Sequence, residues 1–417
     1  MYKKIKNIFL VAVAVITLSG CVAHQVSTTT LQQIEDEAVA EQIVAEEPIV
    51  QETFGAKVED AQDLLTEEQE ELLYSFALKY AQTLKEMQSA DFRELFENPE
   101  CEDSYLNSTA YMVLTEIRSL NDKDLTLEDA QVTYRVQSVA NYGSYIYVEV
   151  FEDNVQKFRH LSEESLTCNT YHTFKLVNTD EGWKIREHLQ EEDFFLLAQS
   201  AWEDAKGADY TEKMQNAIDL LIADAKENYE LSVQYPNEYV QVAVNKEYDR
   251  EKALEYAAEW FDKRNSEYLE YDLYGGNCQN FASQCIYAGG MDMDIKGSFV
   301  CQWKFYGKDL NLSQTAAGRS YSWIGVDEFY TYAVNNKSTG LITQTNIDLK
   351  YAQKGDVIQV GAYNKWHHSL LVTDVLFDAD GQLAEVVLCS NTADRWNYPL
   401  SAYIYTYPRL IHIDGQI

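Results

Sequence analysis

A cysteine at the start of a helix is the residue in this chain best placed to act as a nucleophile. The glycines at 275–276 form a turn ahead of Cys278, and Phe281, Cys285 and Ile286 follow at the spacing of a buried helical stripe. The Cys278 thiol is therefore expected on the first turn of a helix, where partial positive charge favours thiolate over thiol. A half-buried structural cysteine after a glycine turn is the competing interpretation.

Two strands further along the chain carry polar side chains that could serve this thiol. The segments on either side of a turn at 378–381 alternate between apolar and polar residues, which predicts a hairpin. If Phe377 pairs with Gln382 across that turn, His368 lies opposite Asn391. Directly paired residues point to the same face of a sheet, with Cβ atoms about 4.5–5.5 Å apart.

An asparagine at that distance can hold an imidazole in one tautomer and aim it at a thiol. Cys278 activated by His368, with His368 oriented by Asn391, is the logic of a papain-type hydrolase. The neighbouring His367 should point to the other face, because side chains alternate along a strand. The three residues Cys278, His368 and Asn391 are therefore the candidate catalytic set.

A group of short motifs gives the C-terminal part of the chain a family resemblance. They are GGNCQNFASQCIYAGG, the tripeptide YSW at 321–323, GDVIQ, HHSLLVTD and SNTADRWNYPLS. Together they make residues 247–408 resemble the amidase domain family common in secreted Firmicutes proteins. The resemblance implies a papain-like α+β fold, with Cys278 as nucleophile and His368 as general base. The chain departs from the family pattern at Asn277, where an acidic residue is expected.

The chemistry that follows is amide hydrolysis through an acyl-enzyme on Cys278, without a cofactor. The oxyanion would be bound by the backbone N–H of Cys278, with the Gln279 and Asn280 side chains as candidates by proximity. Peptidoglycan or other extracellular peptides are the expected substrates. A catalytically silent peptide- or wall-binding lipoprotein and a transglutaminase-type acyl transferase remain as alternatives.

The amino terminus has the pattern of a bacterial lipoprotein signal. Three lysines precede an apolar run at 8–18, which is too short for a permanent membrane helix and ends in Leu-Ser-Gly before Cys21. This predicts a signal peptide at 1–20 and lipidation of Cys21, which would hold the protein on the outer face of the cytoplasmic membrane. An ordinary signal cut after Ala23 is the alternative.

Composition divides the rest of the chain into four segments. Residues 21–66 are rich in Glu, Gln and Ala, which predicts a disordered acidic tether. Residues 67–200 combine a long amphipathic helix with alternating strands, which resembles a cystatin-like α+β domain. A helical connector at 201–246 and the amidase domain at 247–417 follow. The histidines of the accessory segment, His160, His172 and His188, are scattered in sequence and are interpreted as surface or satisfied residues.

The formal net charge of −35 argues against nucleic acid and anionic membrane surfaces as partners, leaving the lipid anchor as the only membrane contact. A metal site is not expected, because no C-x-x-C or H-x-x-x-H pair occurs and adjacent histidines on a strand diverge. Secretion permits disulfides, and a Cys101–Cys168 bond is conceivable, although apolar surroundings favour free thiols.

Overall fold

The computed structural model describes residues 55–121, 123–231, 237–296, 301–306, 319–336, 339–362, 365–404 and 408–417. These residues belong to one compact unit, which extends from Glu52 to Ile417. The predicted signal peptide, Cys21 and most of the predicted tether lie outside the described residues.

Helices and strands occupy most of the described chain. The helices are α1 (Glu67–Glu86), α2 (Glu102–Ser119), α3 (Asp193–Asp204), α4 (Tyr210–Leu231), α5 (Arg250–Trp260), α6 (Cys278–Ala288), α7 (Tyr321–Ile324) and α8 (Val326–Asn335). The strands are β1 (Gly55–Glu59), β2 (Leu127–Asn141), β3 (Ile146–Phe158), β4 (Ser165–Thr179), β5 (Gly182–Gln190), β6 (Lys246–Glu247), β7 (Leu341–Thr345), β8 (Val357–Ala362), β9 (Lys365–Phe377), β10 (Leu383–Ser390), β11 (Asp394–Pro399) and β12 (Arg409–Gln416). Short 3-10 turns lie at Arg93–Leu95, Asp272–Tyr274, Leu349–Tyr351 and Leu400–Ala402.

One mixed sheet joins the twelve strands of the described residues. Its order is β1-β2-β3-β4-β11-β10-β9-β8-β12-β6, with β5 also paired to β4 and β7 to β12. The pair β1–β2 is parallel, whereas β4 and β11 run antiparallel, with Cys168 opposite Asp394. That last pair links strands of the predicted accessory and amidase segments in a single sheet. The α+β architecture predicted from sequence is confirmed at this level.

The two faces of β9 pack into different hydrophobic cores. Leu370 and Val372 lie in the core that includes Phe76 of α1, whereas Leu371 packs in the core that includes Phe281 of α6. Burying a leucine or phenylalanine side chain contributes roughly 1.5–3 kcal/mol, so both faces of the strand are fixed by packing. Helix α6 therefore lies on one face of β9, and the helices of the accessory segment contribute to the core on the other.

The predicted hairpin forms between β9 and β10, but its predicted register is wrong by one residue. Phe377 pairs with Leu383 rather than Gln382. The Asp378 carboxylate accepts backbone N–H groups from Asp380 and Gln382, and the turn consequently takes up five residues instead of four. Two later bulges cancel each other, so Cys389 pairs with Leu371 and the one-residue offset persists to the end of β10.

Two helices occupy the region of the predicted helical connector. Helix α3 ends at Asp204 and α4 starts at Tyr210. The break coincides with Gly207, where a side chain would collide with the backbone of Lys213. The close approach of those two segments requires glycine.

Candidate active site

Cys278 is the first residue of α6, and its side chain lies next to β9. Its sulfur is 4.0 Å from the carbonyl oxygen of His367, and the backbone N–H groups of Ser369 and Gln279 point towards it. The residue is only 4% exposed. The helix start predicted from the glycine turn is confirmed, and the thiol lies within a set of backbone donors.

A network around Asn277 fixes where α6 begins. The Asn277 backbone N–H donates to Thr392 Oγ1 at 2.6 Å, and its side-chain oxygen accepts from the Tyr271 backbone and from Asn280 Nδ2. Gly276 adopts a φ of 112°, and a side chain there would press on Thr392 at 3.4 Å. The Asn277 amide therefore holds the start of α6 in place through its hydrogen bonds. The family resemblance predicts an acidic residue at this position.

The Cys278 thiol is not activated in the resting structure. Burial raises the pKa of Cys278 to about 11, and the backbone donors from Ser369 and Gln279 offset only part of that effect. A depressed thiol pKa, expected from the helix terminus alone, is therefore wrong for this structure. Desolvation outweighs the helix dipole, because the dipole effect is modest while a buried thiolate loses its hydration.

His368 lies on the opposite face of β9 from α6. The Ser369 hydroxyl donates to Gln279 of α6 at 2.7 Å, and side chains alternate along the strand, so His368 points to the other side. Its ring centroid is 6.3 Å from that of Tyr403, and it is buried. Among the described residues, no hydrogen bond joins His368 to Cys278, and His368 Nε2 has no partner.

The imidazole of His368 is neutral at neutral pH. Burial lowers its pKa from 6.5 to about 4, and nearby Asp193 opposes that shift while His367 and Arg395 reinforce it. A neutral imidazole can accept a proton, so the protonation state suits a general base. Its role as partner of Cys278 stays a prediction, since the geometry leaves the two side chains unjoined.

Asn391 does not orient His368, which corrects the role expected from the hairpin. Its Nδ2 donates to the carbonyl oxygens of Trp260, Phe261 and Lys263 at 2.9–3.0 Å, and its Oδ1 accepts from Asn277 Nδ2 at 2.6 Å. The side chain thus ties the end of α5 to the start of α6. The one-residue shift in register explains the difference, because continuing it would bring Thr392, not Asn391, opposite His368.

Two candidate oxyanion donors have other partners. Gln279 Nε2 donates to Ser283, and its oxygen accepts from Ser369. Asn280 Nδ2 donates to the carbonyl of Leu269, while its oxygen accepts from the indole of Trp323 at 3.0 Å. Both amides are buried parts of the α6 packing. The donors that remain beside the sulfur are backbone N–H groups.

The predicted amidase segment contains the cysteine helix and the hairpin that were predicted from its sequence. A match to a known family covers the same part of the chain. Residues 247–413 match the family model described as "Putative amidase domain". This segment of the chain is similar to that family. The resemblance predicted from the motifs is confirmed, and the family's description supports a hydrolase-like function for the amidase segment.

One curated relative matches a longer stretch of the chain than the family model does, but its name states no function. The chain is 25% identical over 201 residues to "Uncharacterized protein YhbB" from Bacillus subtilis (strain 168). The match spans 48% of this chain and 58% of that relative, so little more than half of the relative is covered. No solved structure matches the chain.

The accessory segment supplies charged residues next to the histidines of the amidase segment, which the sequence analysis missed. Arg395 of β11 binds Glu192 at 2.7 Å and Asp193 of α3 at 3.2 Å. Burial alone would raise the pKa of Asp193, but Arg395, His368 and His367 together hold it below its ordinary value. From sequence alone, Glu192 and Asp193 predict only the start of a helix, because acidic residues are common there. Their contact with Arg395 depends on the pairing of β4 with β11.

Two histidines of the accessory segment, His172 and His188, are buried and hydrogen-bonded, in keeping with the satisfied rather than the surface interpretation. His172 Nδ1 lies 3.0 Å from His188 Nε2, and His188 Nδ1 lies 2.5 Å from Asn107 Oδ1. His172 Nε2 is also 3.3 Å from a Glu152 oxygen, although the angle is not that of a hydrogen bond. Burial and the neighbouring His172 lower the pKa of His188 well below its usual range. The pairing of β4 with β5 brings these rings together.

Within the described parts of the chain, no disulfide joins any of the cysteines Cys101, Cys168, Cys278, Cys285, Cys301 and Cys389. No group of His, Cys, Asp and Glu suited to a metal ion occurs among the residues that the structure describes. The helices in those same stretches are all too short or too polar to cross a bilayer.

The high thiol pKa predicts how Cys278 reacts with iodoacetamide in the free protein. Because thiolate forms only as pH approaches about 11, the alkylation rate should rise about tenfold per pH unit between pH 7 and pH 10. Peptide mapping after timed quenching measures that rate. A rate already level at pH 6 would show a thiolate and contradict the buried neutral thiol.

Proposed function

We propose that this protein is a cysteine amide hydrolase in which Cys278 forms an acyl-enzyme with peptide substrates. The observation that carries the proposal is the position of the Cys278 thiol, at the start of α6 beneath backbone N–H groups, inside the segment that matches the amidase family. A papain-like arrangement of this segment and a cystatin-like accessory domain belong to the same proposal.

The reaction would begin from the neutral thiol and the neutral imidazole. As Cys278 Sγ attacks the amide carbonyl, His368 accepts the thiol proton and then passes it to the leaving amine. Water, deprotonated by His368, hydrolyses the resulting thioester and restores the thiol. The backbone N–H groups at the start of α6 would bind the oxyanion. The proposal requires the His368 imidazole to reach the Cys278 thiol, although the two side chains lie on opposite faces of β9 in the free structure.

A catalytically silent peptide-binding protein is the second candidate, and one observation favours it. Cys278 is buried with a raised pKa, and His368 lies on the other face of β9 without a hydrogen bond to it. A binding module has no need to join the two side chains. One experiment distinguishes a hydrolase from a binding protein. The purified protein is incubated with peptidoglycan and with a panel of peptide amides, and newly released amines are detected. Binding without any released amine would favour the silent protein.

The proposed place of action is the outer face of the cytoplasmic membrane, where the lipid on Cys21 would hold the protein beside cell wall peptides. The support is the basic, apolar leader that ends at Cys21.

Replacement of Cys21 tests the anchor. Cys21→Ser should move most of the protein from the membrane pellet to the soluble fraction, because no acyl chains remain to partition into the bilayer. Fractionation with immunoblotting measures the shift, and Cys301→Ser is the matched control at an exposed thiol. Equal membrane retention of the Cys21 variant would exclude the lipid anchor.

A further inference from the structure

Arg319 is an arginine with no carboxylate partner in the part of the chain that the structure describes. Most other arginines there bind Asp or Glu, as Arg264 does with Asp272 at 2.8 Å. Arg319 is partly exposed, and its Nε is buried without an acceptor among the described residues. An arginine in this situation is unexpected in a chain whose formal net charge is −35.

The Arg319 side chain faces the same side of the molecule as α6. Arg319 is paired with Phe305 in an isolated bridge, and directly paired residues point to one face. Phe305 packs into the core that contains Phe281 of α6. The Arg319 guanidinium therefore lies on the side of the sheet that carries Cys278, not on the side of His368.

Tyr271 connects Arg319 to the loop that precedes the thiol. The Arg319 guanidinium is 5.4 Å from the ring centroid of Tyr271. The Tyr271 backbone N–H donates to Asn277 Oδ1 at 3.2 Å, and its carbonyl oxygen accepts from the Gly276 N–H at 3.2 Å. Gly276 and Asn277 are the two residues before Cys278, so one tyrosine separates the guanidinium from the turn that positions the nucleophile.

Aromatic rings hold the guanidinium without using its N–H groups. The Tyr321 ring centroid is 5.6 Å away, and Tyr321 is 54% exposed. Cation–π contacts stabilise a guanidinium through its charge and leave its five N–H donors for an acceptor. Lys304 is hydrogen-bonded to Ser320 through the backbone and adds a second positive charge, also without a carboxylate partner among the described residues.

We propose that Arg319 binds a carboxylate of the peptide whose amide lies at Cys278. A guanidinium matches a carboxylate in charge and in planar geometry. An extended residue spans roughly 3.3 Å, so a peptide that starts at the thiol reaches the guanidinium within a few residues. The inference deepens the proposed function, because it names acidic peptides as the substrate class, and it rests on that function for the identity of the peptide as a substrate.

Calorimetric titration of the full chain carrying Cys278→Ala tests the site without requiring hydrolysis. The probes are N-acetylglutamylalaninamide, with a side-chain carboxylate, N-acetylglutaminylalanine, with a terminal carboxylate, and the neutral N-acetylglutaminylalaninamide. At least one acid should bind fivefold or more tightly than the neutral peptide. Arg319→Met should abolish that preference and leave the affinity for the neutral peptide unchanged. Arg159→Met, at an exposed arginine of the accessory segment, is the matched control and should keep the preference.

Tighter binding of one acid alone supports the site and identifies which carboxylate it takes. Equal affinity for all three peptides, absence of binding, or a preference that survives Arg319→Met would overturn the proposal. If Arg319→Met does not fold, Tyr321→Ala replaces it, because an exposed ring that holds the guanidinium is removed. The acid preference should then fall at least twofold, and an unchanged preference counts against the site. Failure of the native protein to release amines would contradict the hydrolase and leave these binding results intact.

Discussion

Cys278→Ala is expected to lower kcat/KM for amide hydrolysis by about 10⁴-fold or more, because the variant has no sulfur to form the acyl-enzyme. Residual turnover would come only from binding and from the backbone donors at the start of α6. The measurement is the rate of amine release from the best peptide amide found in the substrate panel. Stability should change little, since one buried sulfur at a helix start is removed.

Cys285→Ala is the matched control for that substitution. Cys285 lies on the same helix, fully buried in the core with Phe281 and Ile286, and has no donor set around its sulfur comparable with that of Cys278. Its replacement should lower stability and leave the rate within a few-fold. Equal loss of rate in both variants would point to damage of α6 packing and not to a nucleophile.

Asn391→Ala is expected to lower the free energy of unfolding by about 3–4 kcal/mol, the largest stability effect in the site. The reason is that three carbonyl oxygens at the end of α5 and the Asn277 amide lose their partner together. Urea unfolding followed by circular dichroism measures the change. Asn178→Ala, at an exposed position of β4, should cost under about 1 kcal/mol.

Measurements of activity and of Cys278 alkylation distinguish the structural role of Asn391 from a catalytic one. Where Asn391→Ala remains folded, Cys278 should lose its fixed position because the Asn277 network loosens, and its alkylation by iodoacetamide should become faster. An unchanged stability with a selective loss of rate would instead restore Asn391 as an orienting residue for His368.

Local patterns were enough to predict the elements that carry the site. The glycine turn and apolar spacing predict α6 from Cys278, and alternation predicts β9 and β10, all of which form. The register could not be predicted, because it depends on the Asp378 side chain accepting two backbone N–H groups, which lengthens the turn by one residue. That one residue moves Asn391 out of register with His368.

Contacts between distant parts of the chain account for the remaining differences. The pKa of Cys278 follows from burial against β9, which a helix pattern does not report. Arg395 meets Glu192 and Asp193 only because β11 pairs with β4. His172 and His188 meet through the β4–β5 pairing in the same way. The first two depend on contacts between segments far apart in sequence, and the histidine pair depends on the register of the β4–β5 hairpin; composition and periodicity leave both open.

The acyl-enzyme itself provides the most direct test. The purified protein would be incubated with a peptide thioester, quenched in acid and mapped by mass spectrometry. We expect the acyl mass on the peptide that contains Cys278, with His368→Ala slowing its appearance. An acyl group found on another residue, or none on Cys278 while amide hydrolysis proceeds, would contradict the account.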